Sequence, residues 1–317
     1  MSLFNKLKDP IFYKDDSDAE KQLSQLLELL KKASGDTAKA IEHEIMLIKA
    51  GIAGEKQVRF ELENSHIPMY VLHDLYLENK GLTAQIDYLL ITRRHQFIIE
   101  CKNLFGDIEI TGNGDFIRTF YYGSFRKKEG VYSPITQNRR HMELIKQIRL
   151  EQHSALIKPF FEKNFFQNYR SVVVLSNPKT VLNARYATKE IRNQVIRADQ
   201  LADYIRKVDS EPGSVSFSDK EMEELAKFFL EVSKSNPVNY AEKYLDLISP
   251  SVSEENITIE NKHEVENCVH SEQQETIMCP KCGAPMVKRK AKKGINAGSF
   301  FYGCSNYPKC RSIINIG

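Results

Sequence analysis

The chain has 317 residues, of which 41% are hydrophobic and 27% charged, and its formal net charge is +3. This length predicts about two domains, and this composition excludes a chain that is disordered throughout. No apolar run reaches the roughly 18 residues that a membrane-spanning helix needs, and the first residues lack a secretory signal. We therefore expect a cytoplasmic protein with no membrane partner.

The charge is unevenly distributed along the chain. Residues 279–317 hold eight basic residues and no acidic residue. Since the whole chain carries +3, the residues before them carry −5. A small basic module attached to an acidic body indicates a contact with a polyanion at that end.

The first predicted elements are two helices separated by a break at residues 34–36. In both helices apolar residues recur at the 3.6-residue period and so form a stripe on one face. If the stripe of the second helix continues beyond Gly51 and Gly54, its next position is Glu55. Two interpretations remain open. The helix ends near Gly54 and Glu55 is a solvated acid, which this pattern alone favours, or Glu55 lies on a buried face and needs a partner.

The middle of the chain then changes to strands, and helices return after it. Ser133 is predicted as the N-cap of a helix, with Pro134 as its first residue. The predicted strands are 70–72, 86–91, 97–102, 108–110 and 172–175, and the later helices are 133–152, 198–208 and 219–233. Strands interspersed with helices indicate a mixed α/β domain.

A composition change marks the end of this domain. Residues 249–278 contain seven glutamates and one lysine with few large apolar residues, so we predict a flexible acidic linker. The expected organisation is a helical segment over 1–50, an α/β domain with a helical extension over 51–248, the linker over 249–278, and a four-cysteine module over 279–317.

Three charged residues interrupt two apolar strands of a predicted hairpin. These residues are Asp87, Glu100 and Lys102, and an antiparallel register with an odd pairing sum places all three on one face of the sheet. An ion pair at a sheet edge would explain them, but burying acids without a role is costly. With Glu55, three carboxylates and a lysine would form an oxygen site that suits Mg²⁺.

Five short motifs occur in a fixed order between residues 51 and 152: Gly54-Glu55, Gln85-Ile86-Asp87, Ile99-Glu100-Cys101-Lys102-Asn103, Gly106 and Ser133-Pro134-Ile135-Thr136-Gln137. In this order and spacing they resemble the nuclease-related domain (NERD) of the PD-(D/E)xK, restriction-endonuclease-like group. Two features depart from the family pattern. Cys101 stands where the family usually has a small or branched apolar residue, and the chain has no tryptophan, so Phe116 takes the place of the one that follows the Glu-x-Lys strand.

This resemblance implies a fold and a reaction. The fold is a restriction-endonuclease-like mixed sheet flanked by helices, and the reaction is metal-dependent cleavage of nucleic acid. Asp87, Glu100 and the backbone carbonyl of Cys101 would hold Mg²⁺, or Mn²⁺, against the scissile phosphate. Lys102 would orient or help deprotonate the attacking water.

Glu55 and Gln137 have supporting roles in the same resemblance. Glu55 would assist through a second ion or a bound water, and Gln137 would position the substrate or the lysine. Either residue could instead be a packing or capping residue.

Four cysteines near the C-terminus form two pairs separated by 21 residues: Cys279 with Cys282, and Cys304 with Cys310. Four thiolates in two knuckles suit a closed tetrahedral Zn²⁺ site, which has a structural and not a catalytic role. The surrounding glycines, prolines and aromatic residues resemble the zinc ribbons at the C-terminus of type IA DNA topoisomerases. The resemblance stops at this module, because the rest of the chain is too short for a topoisomerase core.

Basic and aromatic residues alternate in this module, a composition that suits stacking on bases and contact with phosphates. The candidate nucleic-acid-binding residues are Lys288, Arg289, Lys290, Lys292, Lys293, Phe300, Tyr302 and Arg311. The leading hypothesis is a metal-dependent nuclease that acts on DNA, including single-stranded DNA, with the ribbon as a tether. The alternatives are a non-catalytic DNA-binding or scaffold protein with a retained nuclease fold, and an RNA-processing nuclease.

Overall fold

A computed structural model describes residues 7–122, 125–211, 216–248, 286–290, 300–304, 310 and 313–315. The chain divides into two compact units, residues 1–251 and residues 252–317. A search of the described residues finds no helix with the length and apolar character needed to cross a membrane.

The first unit contains both helices and strands, with six consecutive strands in its middle. Its helices are α1 (Asp18–Leu30), α2 (Gly35–Glu63), α3 (Pro134–Glu151), α4 (Lys158–Asn168), α5 (Lys189–Arg192), α6 (Leu201–Asp209), α7 (Asp219–Val232) and α8 (Glu242–Ile248). Its strands are β1 (Pro10–Lys14), β2 (Met69–Asn79), β3 (Leu82–Ile91), β4 (Gln96–Lys102), β5 (Asp107–Ile110), β6 (Phe116–Tyr122), β7 (Phe125–Val131), β8 (Tyr169–Leu175), β9 (Leu182–Asn183) and β10 (Val195–Arg197).

The main sheet is mixed and has the strand order β1-β2-β3-β4-β8-β10. β2, β3 and β4 are antiparallel neighbours, and β8 joins the far side of β4 in a parallel pairing. The predicted turn between β3 and β4 is confirmed, since Thr92 N–H donates to the carbonyl of His95 at 3.0 Å. The α/β class with a mixed sheet flanked by helices is therefore correct.

Helices cover both faces of this sheet. Along β4, Ile98 packs in a core with residues of α3 and α7, whereas Phe97 and Ile99 pack in a second core with residues of α2 and α6. This alternation is the strand period of two, and it assigns the side chains of β4 to opposite faces. Glu100 accordingly lies on the α3 face.

α2 does not end near Gly54 but continues to Glu63. Gly54, Val58 and Leu62 are buried, so the apolar stripe persists beyond the glycine and the interpretation of Glu55 as a solvated acid is wrong. The boundary expected between residues 50 and 51 falls inside this continuous helix. The segment before it also contributes β1, which pairs with β2 in parallel.

A second sheet, with the order β7-β6-β5-β9, follows the main one. The sequence pattern does not predict β6 and β7, because β7 is mostly charged and lacks apolar alternation. Cross-strand contacts stabilise the pair, including an ion pair of Arg118 with Glu129. The predicted start of α3 is confirmed, since the side chain of Ser133 accepts a hydrogen bond from Thr136 N–H at 3.4 Å.

The second unit contains a small antiparallel sheet of β11 (Met286–Lys290), β12 (Phe300–Cys304) and β13 (Ile313–Asn315). The predicted linker over 249–278 lies outside the described residues.

Candidate active site

The sheet brings Asp87, Glu100 and Lys102 together where β4 ends. The last paired residues of β3 and β4 are Tyr88 and Ile99, so continuing this register places Asp87 opposite Glu100. Lys102 Nζ lies 2.7 Å from Glu100 Oε1. Asp87 Oδ2 accepts a hydrogen bond from Cys101 N–H at 2.6 Å, which holds the aspartate against the end of β4.

Burial and mutual repulsion alter the acidity of these groups. The pKa of Asp87 is raised well above its usual value, chiefly by burial and further by the charges of Glu100 and Glu55. Burial also raises the pKa of Glu100, although the nearby ammonium of Lys102 opposes the rise. Burial would lower the pKa of Lys102, but attraction to Glu100 and Asp87 outweighs it and raises this pKa. Lys102 is therefore a cation that partly neutralises two acids.

One oxygen of Glu100 has no hydrogen-bond partner within the described structure. The side chain is 1% exposed, and Oε2 lies 3.5 Å from His141 Nδ1 without a hydrogen bond between them. Burial, aided by the charge of Lys102, lowers the pKa of His141 to about 4, so the imidazole is neutral at neutral pH. A neutral ring gives Glu100 no counter-charge, and this oxygen remains available to a cation.

The donor set fits a hard divalent cation. Carboxylate oxygens of Asp87 and Glu100 and the carbonyl of Cys101 are the ligand types that Mg²⁺ prefers. Among the described residues, no group of three or more His, Cys, Asp and Glu side chains is placed to hold a metal ion. Two side chains and a backbone carbonyl would leave room for water and for a substrate phosphate, as Mg²⁺ requires.

Glu55 is not the third carboxylate of this cluster. Its Oε2 lies 2.8 Å from His73 Nε2, and the His73 ring stacks on Tyr88 with 4.6 Å between ring centroids. Glu55 and His73 both line a cavity of about 250 Å³ on the α2 side of the sheet. Glu55 still raises the pKa of Asp87, so its charge acts on the same end of the sheet although its carboxylate contacts His73.

The sequence does not single out His73 as a functional residue. A histidine on a strand carries no local signal of its partner, because α2 and β2 meet only in the folded chain.

Gly54 allows α2 to approach the ends of β4 and β8. A Cβ at this position would lie 2.6 Å from Ser176 Oγ and 2.7 Å from Asn103 Cβ, whereas one at Gly51 would meet nothing within 4 Å. Of these two glycines, only Gly54 therefore lets α2 come close to neighbouring residues. It fixes the position of Glu55, the next residue.

α3 supplies the remaining residues at this edge. Gln137 is half-buried in its first turn, one turn before His141. Asn138, which the sequence analysis did not select, is fully buried and donates to the carbonyl of Ile98 at 2.8 Å and to Ser171 Oγ at 3.0 Å. This amide ties α3 to β4 and β8, and so sets the distance between His141 and Glu100.

The ribbon residues are described in part. Cys304 and Cys310 are buried, and the register of β11 with β12 pairs Lys288 with Tyr302 and Lys290 with Phe300. The other predicted ribbon residues, Cys279, Cys282, Lys292, Lys293 and Arg311, lie outside the described residues.

Two family models match the chain. Residues 50–176 match the nuclease-related domain, NERD, and residues 276–317 match the topoisomerase DNA binding C4 zinc finger. The first match contains every residue of the cluster described above, and the second contains all four paired cysteines.

Two curated relatives are similar to parts of the chain. An uncharacterised protein of Bacillus anthracis is 36% identical over 97 residues, which are 30% of this chain and 44% of that protein. An uncharacterised protein of Haemophilus influenzae is 51% identical over 41 residues, which are 13% of this chain and 19% of that protein. The chain thus spans less than half the length of either relative. No solved structure matches it.

Proposed function

We propose that this chain is a metal-dependent nuclease that hydrolyses phosphodiester bonds, with DNA as its preferred substrate. The nuclease-related domain would carry out the cleavage, and a topoisomerase-type C4 zinc ribbon follows that domain. The proposal rests on the buried carboxylate of Glu100. One of its oxygens forms an ion pair with Lys102, and the other has no hydrogen bond in the described structure. A surface ion pair would need neither this burial nor an unpartnered oxygen. A bound divalent cation would pair with the unpartnered oxygen of Glu100, and a substrate phosphate would pair with the ammonium of Lys102.

Asp87, Glu100 and the carbonyl of Cys101 would hold Mg²⁺ or Mn²⁺. When bound, such an ion polarises a phosphate oxygen and offsets the charge of the transition state. Asp87 is already oriented for this role, because its other oxygen accepts from Cys101 N–H.

Lys102 would act as a cation and not as a base. Its pKa is raised by Glu100 and Asp87, so the ammonium keeps its proton at neutral pH. It would orient the attacking water through a donated hydrogen bond and stabilise negative charge near the phosphate. Gln137 would position the substrate, and Glu55, held by His73, would act at longer range through the field that it exerts on Asp87.

The ribbon would bind one structural Zn²⁺ through Cys279, Cys282, Cys304 and Cys310. Its basic and aromatic residues would bind nucleic acid, including single strands, and raise the local concentration of substrate. A thiolate zinc site is typical of reducing compartments, so the proposal includes a cytoplasmic location. The α/β domain would include residues 1–50, and the linker over 249–278 would join it to the ribbon.

The test is a matched pair of substitutions, one inside the cluster on β4 and one on β5 of the second sheet. Glu100→Gln should abolish metal-dependent cleavage of supercoiled, linear and single-stranded DNA, because the amide cannot neutralise a divalent cation. Glu109→Gln is the control, since Glu109 pairs with Lys128 at 3.3 Å on β5 outside the cluster. Cleavage would be followed on gels with Mg²⁺, Mn²⁺ or EDTA. Equal cleavage by Glu100→Gln and wild type would remove the cluster from the mechanism, and cleavage by neither would indicate a binding protein.

A further inference from the structure

The segment that follows β4 is held to the body of the domain at several points. Asn103 Nδ2 donates to the carbonyl of Ala50 at 2.6 Å, and Thr180 Oγ1 donates to the carbonyl of Leu104. Gly106 has a φ of +98° and packs so closely on the backbone of Thr119 that no side chain would fit. The backbone from residue 103 to residue 106 is therefore fixed on both sides of Phe105.

The ring of Phe105 is nevertheless 53% exposed. It stacks on Phe120, with ring centroids 6.4 Å apart and an interplanar angle of 23°. The guanidinium of Arg118 lies 4.2 Å from the centroid of the same Phe120 ring. An exposed phenylalanine alone is unremarkable on a protein surface, but this one is rigidly oriented by its backbone and by a second ring.

The exposed ring of Phe105 follows the candidate active site closely in the chain. Phe105 follows Lys102 by three residues, so their Cα atoms are at most about 11 Å apart. Successive phosphates of one DNA strand rise by about 3.4 Å along a duplex. A strand with a phosphate at Lys102 would thus have a base near Phe105, a few nucleotides away at most.

We propose that Phe105 is a stacking platform for an unpaired base of the nucleic-acid substrate, next to the scissile phosphate. The inference rests on the proposed function. The platform recognises the face of a base and not its edge, so it would hold single-stranded substrate without sequence preference.

The absence of tryptophan from the chain provides a direct test. Phe105→Trp introduces a single indole whose fluorescence a stacked base quenches. The matched control is Phe160→Trp on α4, where the wild-type ring is 72% exposed. Titration of each full-length variant with a single-stranded oligodeoxynucleotide in EDTA, which prevents cleavage, should quench the first indole and leave the second unchanged.

Kinetics with Mg²⁺ provide the second measurement. Phe105→Ala and Phe105→Leu should raise KM for single-stranded DNA about 5- to 150-fold, the range expected for loss of one base–aromatic stack. Phe105→Leu keeps an apolar cover over Phe120, so a loss in this variant reports stacking and not packing. kcat should change little, and Phe160→Ala should match wild type.

Several outcomes separate this inference from the proposed function. An unquenched indole in Phe105→Trp, or a wild-type KM in Phe105→Leu, would overturn the platform even if the protein is an active nuclease. Quenching confined to Phe105→Trp in a protein that cleaves nothing would support the platform and reject the nuclease.

Discussion

Lys102 and Glu100 share the end of β4, and each determines the charge state of the other. The ammonium opposes the rise in the pKa of Glu100, and the carboxylate raises the pKa of Lys102 above its usual value. At each group, attraction to the other member of the pair therefore opposes the effect of burial. An ionised Glu100 is what a divalent cation needs.

Replacing the lysine by an apolar residue of similar length tests this dependence. Lys102→Met should reduce cleavage by about 100-fold or more, because it removes a cation that stabilises transition-state charge and leaves Glu100 unpaired beside Asp87. The variant should also need more Mg²⁺ for half-maximal cleavage, which a metal titration measures. Lys128→Met, which breaks an ion pair with Glu109 on the second sheet, is the control and should leave both quantities unchanged.

At the scale of elements, the packing of α2 on the ends of β4 and β8 depends on one missing methyl group. Gly54→Ala should lower the free energy of unfolding by about 1–3 kcal/mol, because its Cβ would overlap Ser176 and Asn103. The cost exceeds the gain of about 1 kcal/mol that alanine brings to a helix interior. Cleavage should fall as well, since Glu55 and Asn103 must move.

Gly51→Ala, one turn earlier, is the matched control. A Cβ there meets nothing within 4 Å, so the helix-propensity gain is retained and stability should rise by up to about 1 kcal/mol. Urea or thermal unfolding would measure the expected loss of stability in Gly54→Ala and the expected gain in Gly51→Ala. Equal stability changes would contradict the close approach at Gly54.

At the scale of the whole molecule, the ribbon predicts a metal content that is independent of catalysis. Freshly purified protein should contain one zinc per chain, because four thiolates complete a tetrahedral shell. Substitution of Cys279 and Cys282 by serine should remove the zinc, as measured by elemental analysis, and leave Mg²⁺-dependent cleavage of a short substrate intact. Zinc-free wild-type protein would overturn the ribbon assignment.

The charge difference between the two ends of the chain predicts a separation of affinity from chemistry. Residues 279–317 carry +8 and the remainder −5, and a ribbon that neutralises phosphates releases counterions. Deleting residues 279–317 should raise KM for long single-stranded DNA and flatten its dependence on salt, with kcat almost unchanged. Normal KM with lost kcat would instead place the ribbon in the active site.

Local sequence rules predict which residues share the end of β4. A strand places alternate side chains on one face, and a hairpin with a short turn sets the register, so Asp87, Glu100 and Lys102 follow from local rules. The start of α3 at Ser133 and Pro134 is equally local, since an N-cap depends on a few consecutive residues. The spacing of the four cysteines likewise predicts the zinc ribbon from the sequence pattern.

The partner of Glu55 and the position of α3 follow only from the folded chain. Glu55 lies on α2 and its partner His73 lies on β2, and Asn138 bonds to groups on β4 and β8. The charged strand β7 is likewise stabilised by its pairing with β6 and not by its own apolar pattern. These contacts lie between elements and not within one, so the apolar periodicity of a single element carries no information about them.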